Sequence, residues 1–204
     1  TMIYGSLTAY GEEGPERDRK GFDQLAYWAR SGLMDLMREP GTVPTQGLPG
    51  MGDHPTAVSL YAGIVTALLH RERTGEGSFV HTSLLANGLW SVAGIAQGVM
   101  AGADMAVYRE RNRISSPMLR LYKTADGRWL QFNMIRSDEM LTQLLIALGA
   151  VELLGDPRFP DIETMFGPAR EPFGDEIQQI IGTKTATEWL SELAGHDLPV
   201  NLVA

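Results

Sequence analysis

Residues 47–75 contain the stretch that decides the fold. A glycine-rich loop leads into a polar turn, and the segment reads Gly47-Leu48-Pro49-Gly50-Met51-Gly52-Asp53-His54-Pro55. An apolar run follows from Ala57 to Leu69, and it closes with His70-Arg71-Glu72-Arg73 and Gly75. Because Asp favours helix starts, whereas basic residues followed by Gly favour helix ends, the pattern predicts a helix that begins near Asp53.

The segments around this helix predict a mixed α/β unit. Residues Met2–Thr8 and Ser78–Thr82 have the composition of short strands. Between them, apolar residues recur at helical spacing from Phe22 to Met37, and Pro40-Gly41 should end that helix.

A charge-free stretch runs from Thr82 to Ala103, long enough to span a bilayer. Polar residues interrupt it and its glycines lower its hydropathy, so we interpret it as a buried helix rather than a membrane span. Gly94, Gly98 and Gly102 recur every fourth residue and predict a face that another backbone can approach. Charge returns at Asp104, which suggests a domain boundary.

The second half has the pattern of a compact α+β domain. Alternation at 119–122 and 130–134 predicts two strands, joined by a hairpin turn at Ala125-Asp126-Gly127. A helix is expected from Ser137 to Leu148. Another should start with the capping box formed by Thr185 and Glu188.

Composition excludes several classes of function. The 204 residues include no cysteine, which rules out disulfides, Cys-ligated metals and a cysteine nucleophile. The net charge of −8 argues against a nucleic-acid partner. The four histidines lack metal-ligand spacing, and no signal pattern opens the chain, so we expect a cytoplasmic protein without a metal.

Two aspartates are the candidates for chemistry. Asp53 follows the glycine-rich loop, and Asp23 precedes the earlier helix. Each could simply cap its helix. The alternative for Asp53 is a carboxylate nucleophile, exposed by its small neighbours and close to backbone donors that stabilise an oxyanion.

Taken together, the segments resemble the class III CoA-transferase family, also called CaiB/BaiF, which includes formyl-CoA transferase and α-methylacyl-CoA racemase. The resemblance covers nearly the whole chain. It rests on four segments, which are residues 3–23, 52–77, 122–129 and 188–201. The first segment contains Gly21-Phe22-Asp23, and the second contains Gly52-Asp53 and Tyr61-Ala62-Gly63-Ile64.

The resemblance implies the central piece of a chain about twice as long. It predicts an α/β fold with a partial Rossmann-like segment of a CoA-binding large domain at 1–84, a long linker helix at 85–108 and a small α+β domain at 109–204. It also implies an interlocked homodimer.

The family's nucleophile falls on Asp53, which would form a mixed anhydride and then an aspartyl-CoA thioester before a carboxylic acid accepts CoA. Asp23 matches a second catalytic acid near the thioester. Coenzyme A would be the co-substrate and acyl-CoA and a carboxylic acid the partners, with no nucleic acid and no membrane involved. The expected CoA contacts are Lys20, Phe22, Gly50 and Gly52.

Departures from the family pattern leave alternatives open. Racemases have a histidine where this chain has Phe22, which cannot carry a proton, so a racemase is the weaker enzymatic alternative. His54-Pro55 replaces small residues after the aspartate. The glycine run of formyl-CoA transferases is absent at Arg113–Pro117, which weakens oxalate or formate as substrates. A third possibility is an inert or dimerisation fragment.

Overall fold

The computed structural model describes residues 1–39, 41–106, 117–133, 135 and 137–204. The chain divides into two compact units, Thr1–Glu110 and Arg111–Ala204. Several expected features lie outside the described residues. They are the helix stop at Pro40, the linker end at Tyr108, the segment Arg113–Ser116 and the strand end at Met134.

Unit 1 is built around a parallel pair of strands and a long helix. Its first elements are β1 (Ile3–Thr8), α1 (Gln24–Ala29), α2 (Leu33–Leu36), α3 (Asp53–Thr74) and β2 (Ser78–Ser83). The two strands pair in register from Ile3 opposite Ser78 to Thr8 opposite Ser83. Both strands and the helix α3 are confirmed as predicted, and α3 ends at Gly75 with φ of 76°.

The single helix expected over residues 22–37 is wrong. The chain forms a π-helix, α1, and a short α-helix, α2, which are separated by Gly32 with φ of 87°. That left-handed conformation stops the helix, and glycine adopts it without steric cost. Ala26, Tyr27 and Trp28 of α1 form a small core with Leu84.

The charge-free stretch contains two helices rather than one, α4 (Leu84–Ser91) and α5 (Ala93–Met100), with a break at Val92. The close approach occurs at Gly88, where a Cβ would lie 2.4 Å from the carbonyl oxygen of Tyr27. A Cβ built on Gly94 would have no heavy atom within 4 Å. The close backbone approach that we predicted at Gly94 is therefore wrong, and it occurs at Gly88 instead. None of the described helices is long and apolar enough to cross a membrane.

Unit 2 combines a small antiparallel sheet with helices. Its elements are β3 (Leu121–Lys123), β4 (Trp129–Phe132), α6 (Asp138–Ala147), a 3₁₀ turn (Val151–Gly155), α7 (Ile162–Phe166), α8 (Arg170–Ile181), α9 (Ala186–Leu193) and β5 (Val200–Val203). The strand order is β3-β4-β5. The predicted hairpin is confirmed, and Gly127 in its turn has φ of 80°.

Local hydrogen bonds define the ends of these elements as the sequence predicts. Ser137 caps α6, and the Thr185–Glu188 capping box at α9 forms in both directions. Asp126 in the hairpin turn accepts from the Thr124 hydroxyl and from the backbone N–H of Ala186. These hydrogen bonds lower the pKa of Asp126 and tie the turn to α9.

Unit 2 encloses a continuous core in which the largest side chains are almost fully buried. Trp189 is 1% exposed, and its indole N–H donates to the carbonyl of Ile181 at 2.8 Å. Members of this core include Tyr122, Leu130, Phe132, Leu144, Leu145, Phe159, Phe173, Ile177 and Ile181. Unit 2 therefore has a hydrophobic core of its own.

The core of unit 2 predicts unequal effects for two neighbouring positions of α6. Leu144 is fully buried, whereas Ile146 is 52% exposed. We expect Leu144→Ala to lower the free energy of unfolding by about 2–5 kcal/mol, because it leaves a cavity. Ile146→Ala should cost less than about 1 kcal/mol. Urea unfolding followed by tryptophan fluorescence measures both, and equal losses would contradict the described packing.

Candidate active site

The carboxylate of Asp23 joins two segments that are distant in sequence. Its Oδ2 accepts the backbone N–H of Gly50 at 2.6 Å, and its Oδ1 accepts that of Gly52 at 3.0 Å. We call this pair of hydrogen bonds the Asp23 clasp. Asp23 is 6% exposed and makes no side-chain cap to its own helix α1, so the simple capping interpretation is wrong.

Glycine is required at both loop positions of the clasp, but for different reasons. Gly50 has φ of 81°, a conformation that side-chain-bearing residues rarely adopt. At Gly52 a Cβ would lie 2.2 Å from Oδ1 of Asp23 and 2.3 Å from the ring of Tyr27. Only a residue without a side chain lets the loop backbone come this close to the buried carboxylate.

Further contacts, which the sequence analysis missed, hold the same loop. The Gln24 side-chain amide donates to the carbonyl of Gly47 at 2.8 Å. A Cβ on Gly47 would lie 2.1 Å from the indole of Trp28. The buried hydroxyl of Thr56 donates to the carbonyl of Gly52 at 2.7 Å. The only sequence signal for Gln24 was its place directly after Asp23.

Asp53 stands at the end of this anchored loop, where α3 begins. The cap position belongs to Gly52, and Asp53 is the first helical residue. The expectation that Asp53 caps the helix is therefore wrong by one position. Its side chain is exposed and forms no hydrogen bond or ion pair with the residues that the structure describes. The N-terminus of a helix stabilises negative charge, which suits a free carboxylate here.

The remaining predicted site residues are close to Asp23 in sequence. Phe22 directly precedes Asp23 and is 75% exposed. Lys20 is exposed, and its ammonium group forms no ion pair with any part of the chain that the structure describes. The structure thus brings Asp23, Gly50, Gly52 and Asp53 together directly. Contacts of Lys20 and Phe22 with CoA stay predictions.

A partly buried polar network connects α1, α3 and α4. The Tyr27 hydroxyl lies 2.7 Å from that of Ser91 in α4. Asn87, also in α4, donates to Thr82 and accepts the hydroxyl of Ser59 from α3 at 2.6 Å. Since each of these polar groups finds a partner, the network fixes the helices that carry both aspartates.

A cleft of about 720 Å³ lies beside the carboxyl ends of β1 and β2. Open α/β sheets bind ligands at this end of their strands. Asp53 does not line this cleft. The lining residues are Tyr10, Gly11, Glu12, Glu13, Phe79, His81, Thr82, Ser83, Leu85, Ala86 and Leu89. Among the described residues, no three His, Asp or Glu side chains are placed to hold a metal ion.

Comparison with known proteins identifies a family for this chain. The family model for CoA-transferase family III matches residues 1–204. The cinnamoyl-CoA:phenyllactate CoA-transferase of Clostridium sporogenes is 34% identical over 200 residues, which are 97% of this chain and 48% of that protein. The (R)-2-hydroxy-4-methylpentanoate CoA-transferase of Clostridioides difficile is 32% identical over 202 residues, covering 97% and 49%.

Solved structures agree at the level of the fold. The crystal structure of Rv3272 from M. tuberculosis has a TM-score of 0.84 at 24% identity and covers 100% of this chain and 52% of that one. A CAIB/BAIF family protein from Brucella suis has a TM-score of 0.77 at 23% identity, with 100% and 53% covered. This chain spans about half the length of the relatives it matches. By its sequence match over all 204 residues, the chain belongs to CoA-transferase family III.

Proposed function

We propose that this chain contributes the nucleophile of an enzyme that moves CoA from an acyl-CoA donor to a carboxylic acid. Family membership supports the reaction class, and the names of both clostridial relatives denote CoA-transferases. The observation that carries the proposal is the Asp53 carboxylate, which is exposed at the start of α3 and forms no hydrogen bond or ion pair with the described part of the chain.

The proposed reaction proceeds by acyl exchange at Asp53. A carboxylate oxygen attacks the thioester carbonyl, the C–S bond breaks, and a mixed anhydride and CoA thiolate result. The thiolate attacks the aspartyl carbonyl and releases the donor acid, leaving an aspartyl-CoA thioester. The acceptor carboxylate reverses both steps and restores the free aspartate. No net proton transfer is needed, so the nucleophile requires no adjacent base.

The two aspartates have different roles in this proposal. Both oxygens of Asp23 accept loop N–H groups, which leaves Asp23 badly placed to move protons or to contact a thioester. We assign it as a positioning residue that fixes the loop before Asp53. Asp53, at the helix N-terminus, is the group that reacts, and the helix dipole would favour the negative charge that develops there.

Binding of CoA and exclusion of water complete the proposal. Lys20 is exposed, three residues before Asp23, and forms no ion pair with the described residues, so it could pair with a CoA phosphate. Because anhydride and thioester intermediates hydrolyse, the exposed Asp53 needs a cover during turnover. The interlocked homodimer implied by the family resemblance is our proposed source of that cover.

The racemase alternative has weaker support. Racemisation at the acyl α-carbon needs groups that take and return a proton. Phe22 has no titratable group, and the oxygens of its neighbour Asp23 are occupied by the clasp. An inert fragment remains the other alternative, since the chain spans about half the length of its relatives.

Removal of the proposed nucleophile gives the first test. In the full-length enzyme, Asp53→Ala should lower kcat at least about 1,000-fold, because no carboxylate is left to form the anhydride. Its melting temperature should stay near that of the wild type, since Asp53 forms no hydrogen bond or ion pair with the described residues. CoA transfer is followed by liquid chromatography of the acyl-CoA products.

Glu72→Gln provides the matched control, because Glu72 is an exposed acidic residue near the other end of α3. It should transfer CoA at the wild-type rate. An Asp53→Ala enzyme that keeps substantial activity would refute the nucleophile assignment. Deuterium exchange at the acyl α-carbon without CoA transfer would instead favour the racemase.

The positioning role of Asp23 gives a separate test. Asp23→Asn retains the shape but turns an amide donor toward one of the two loop N–H groups, so the clasp should open. We expect the amides of Gly50 and Gly52 to exchange hydrogen for deuterium at least about tenfold faster. We also expect kcat to fall with KM little changed, and the melting temperature to drop by about 4–8 °C.

Hydrogen exchange measured by mass spectrometry separates this role from direct acid catalysis. If Asp23 acted only as a proton donor, the variant would lose activity while Gly50 and Gly52 stayed as protected as in the wild type. That result would contradict the clasp as a positioning device. Asp18→Asn, an 88% exposed side chain nearby in sequence, serves as the control and should change neither readout.

A further inference from the structure

Four large apolar side chains are exposed around the clasp. Phe22 and Leu25 extend from the start of α1, with 75% and 51% of their surface exposed. Leu48 and Met51 belong to the loop before Asp53 and are 68% and 49% exposed. We call these four residues the acyl patch, and such exposed apolar clusters commonly mark binding surfaces.

The hydrogen bonds of the site connect the two segments that carry the acyl patch, the start of α1 and the loop before Asp53. Met51 lies between the two glycines whose N–H groups bind Asp23, and Phe22 directly precedes Asp23. Leu48 follows Gly47, whose carbonyl accepts from Gln24. The patch therefore flanks the loop that ends at Asp53, and its position depends on the same contacts as the proposed nucleophile.

Charge distribution sets the chemistry of a group that could bind there. Residues 41–52 contain no charged side chain. In residues 21–29 the only charge is Asp23, whose oxygens are both occupied. A second carboxylate on an acyl chain would lose hydration beside these segments and would gain no cation from them. Lys20, the cation that directly precedes residue 21, is the group that we assign to a CoA phosphate. An apolar chain would instead gain from leaving water.

Resting on the proposed function, we propose that the acyl patch binds the acyl group of the thioester and selects apolar monocarboxylic acyl groups, aryl or branched alkyl, over dicarboxylic ones. The thioester carbonyl would lie at Asp53 with its apolar chain on Leu48, Met51, Phe22 and Leu25. A polypeptide segment covering the patch is the competing occupant, and it would make the patch indifferent to the acyl chain.

The test compares acyl-CoA donors in the full-length enzyme with one common acceptor. We expect kcat/KM for 3-phenylpropanoyl-CoA to exceed that for succinyl-CoA at least tenfold. Leu48→Ala should lower kcat/KM for phenylpropanoyl-CoA about tenfold more than for acetyl-CoA, because acetyl reaches little of the patch. Leu48→Lys should raise the ratio of succinyl-CoA to phenylpropanoyl-CoA, because it supplies the missing cation.

Val43→Ala and Val43→Lys are the matched controls, because Val43 is 82% exposed in the same loop but lies before its anchored part. They should leave the donor ratios unchanged. A wild-type preference for succinyl-CoA, or Leu48 variants that slow all donors equally, would overturn the acyl patch while leaving Asp53 as nucleophile. Absence of transfer with every donor would instead refute the proposed function and this inference with it.

Discussion

The structure of the site depends on one buried carboxylate. Asp23 accepts two backbone N–H groups from a loop 27 and 29 residues further along the chain. A buried carboxylate is costly unless it is hydrogen-bonded, and charge-assisted bonds of this kind contribute about 1.5–3 kcal/mol each. The clasp therefore satisfies Asp23 and, in the same contacts, fixes the loop on which Asp53 depends.

This arrangement separates two side chains of the same chemical type. Asp23 is buried and accepts a hydrogen bond at each oxygen, whereas Asp53 is exposed and forms no hydrogen bond or ion pair with the described residues. A reactive carboxylate must remain free of partners, but it must also be held in place. In our account the helix α3 and the anchored glycine loop hold its backbone, so its carboxylate needs no partner of its own.

Features with a local signal could be predicted from sequence. The strands β1 and β2, the helix α3 with Gly75 at its end, and the capping box of α9 follow from residue types within a few positions of each other. The family and the two aspartates could also be recognised. The break at Val92 and the split at Gly32 were missed, because an apolar pattern does not report where a backbone turns.

The roles of the aspartates needed three-dimensional information. Sequence could place each at a helix start, but it could not show that Asp23 bonds to Gly50 and Gly52 instead of its own helix. Likewise, a shift of one residue decides whether Asp53 is the cap or the first residue of α3. Gln24 had no signal beyond its place after Asp23, and Thr56 had none. Each donates to a backbone carbonyl that no residue pattern encodes.

The most direct test of this account is to locate the covalent intermediate. The full-length enzyme is mixed with acyl-CoA in the absence of an acceptor acid, quenched, digested and mapped by mass spectrometry. Our account predicts that the peptide containing Asp53 carries a CoA adduct through a thioester, and that hydroxylamine converts this adduct to a hydroxamate. An adduct on any other residue of an enzyme that transfers CoA would contradict it.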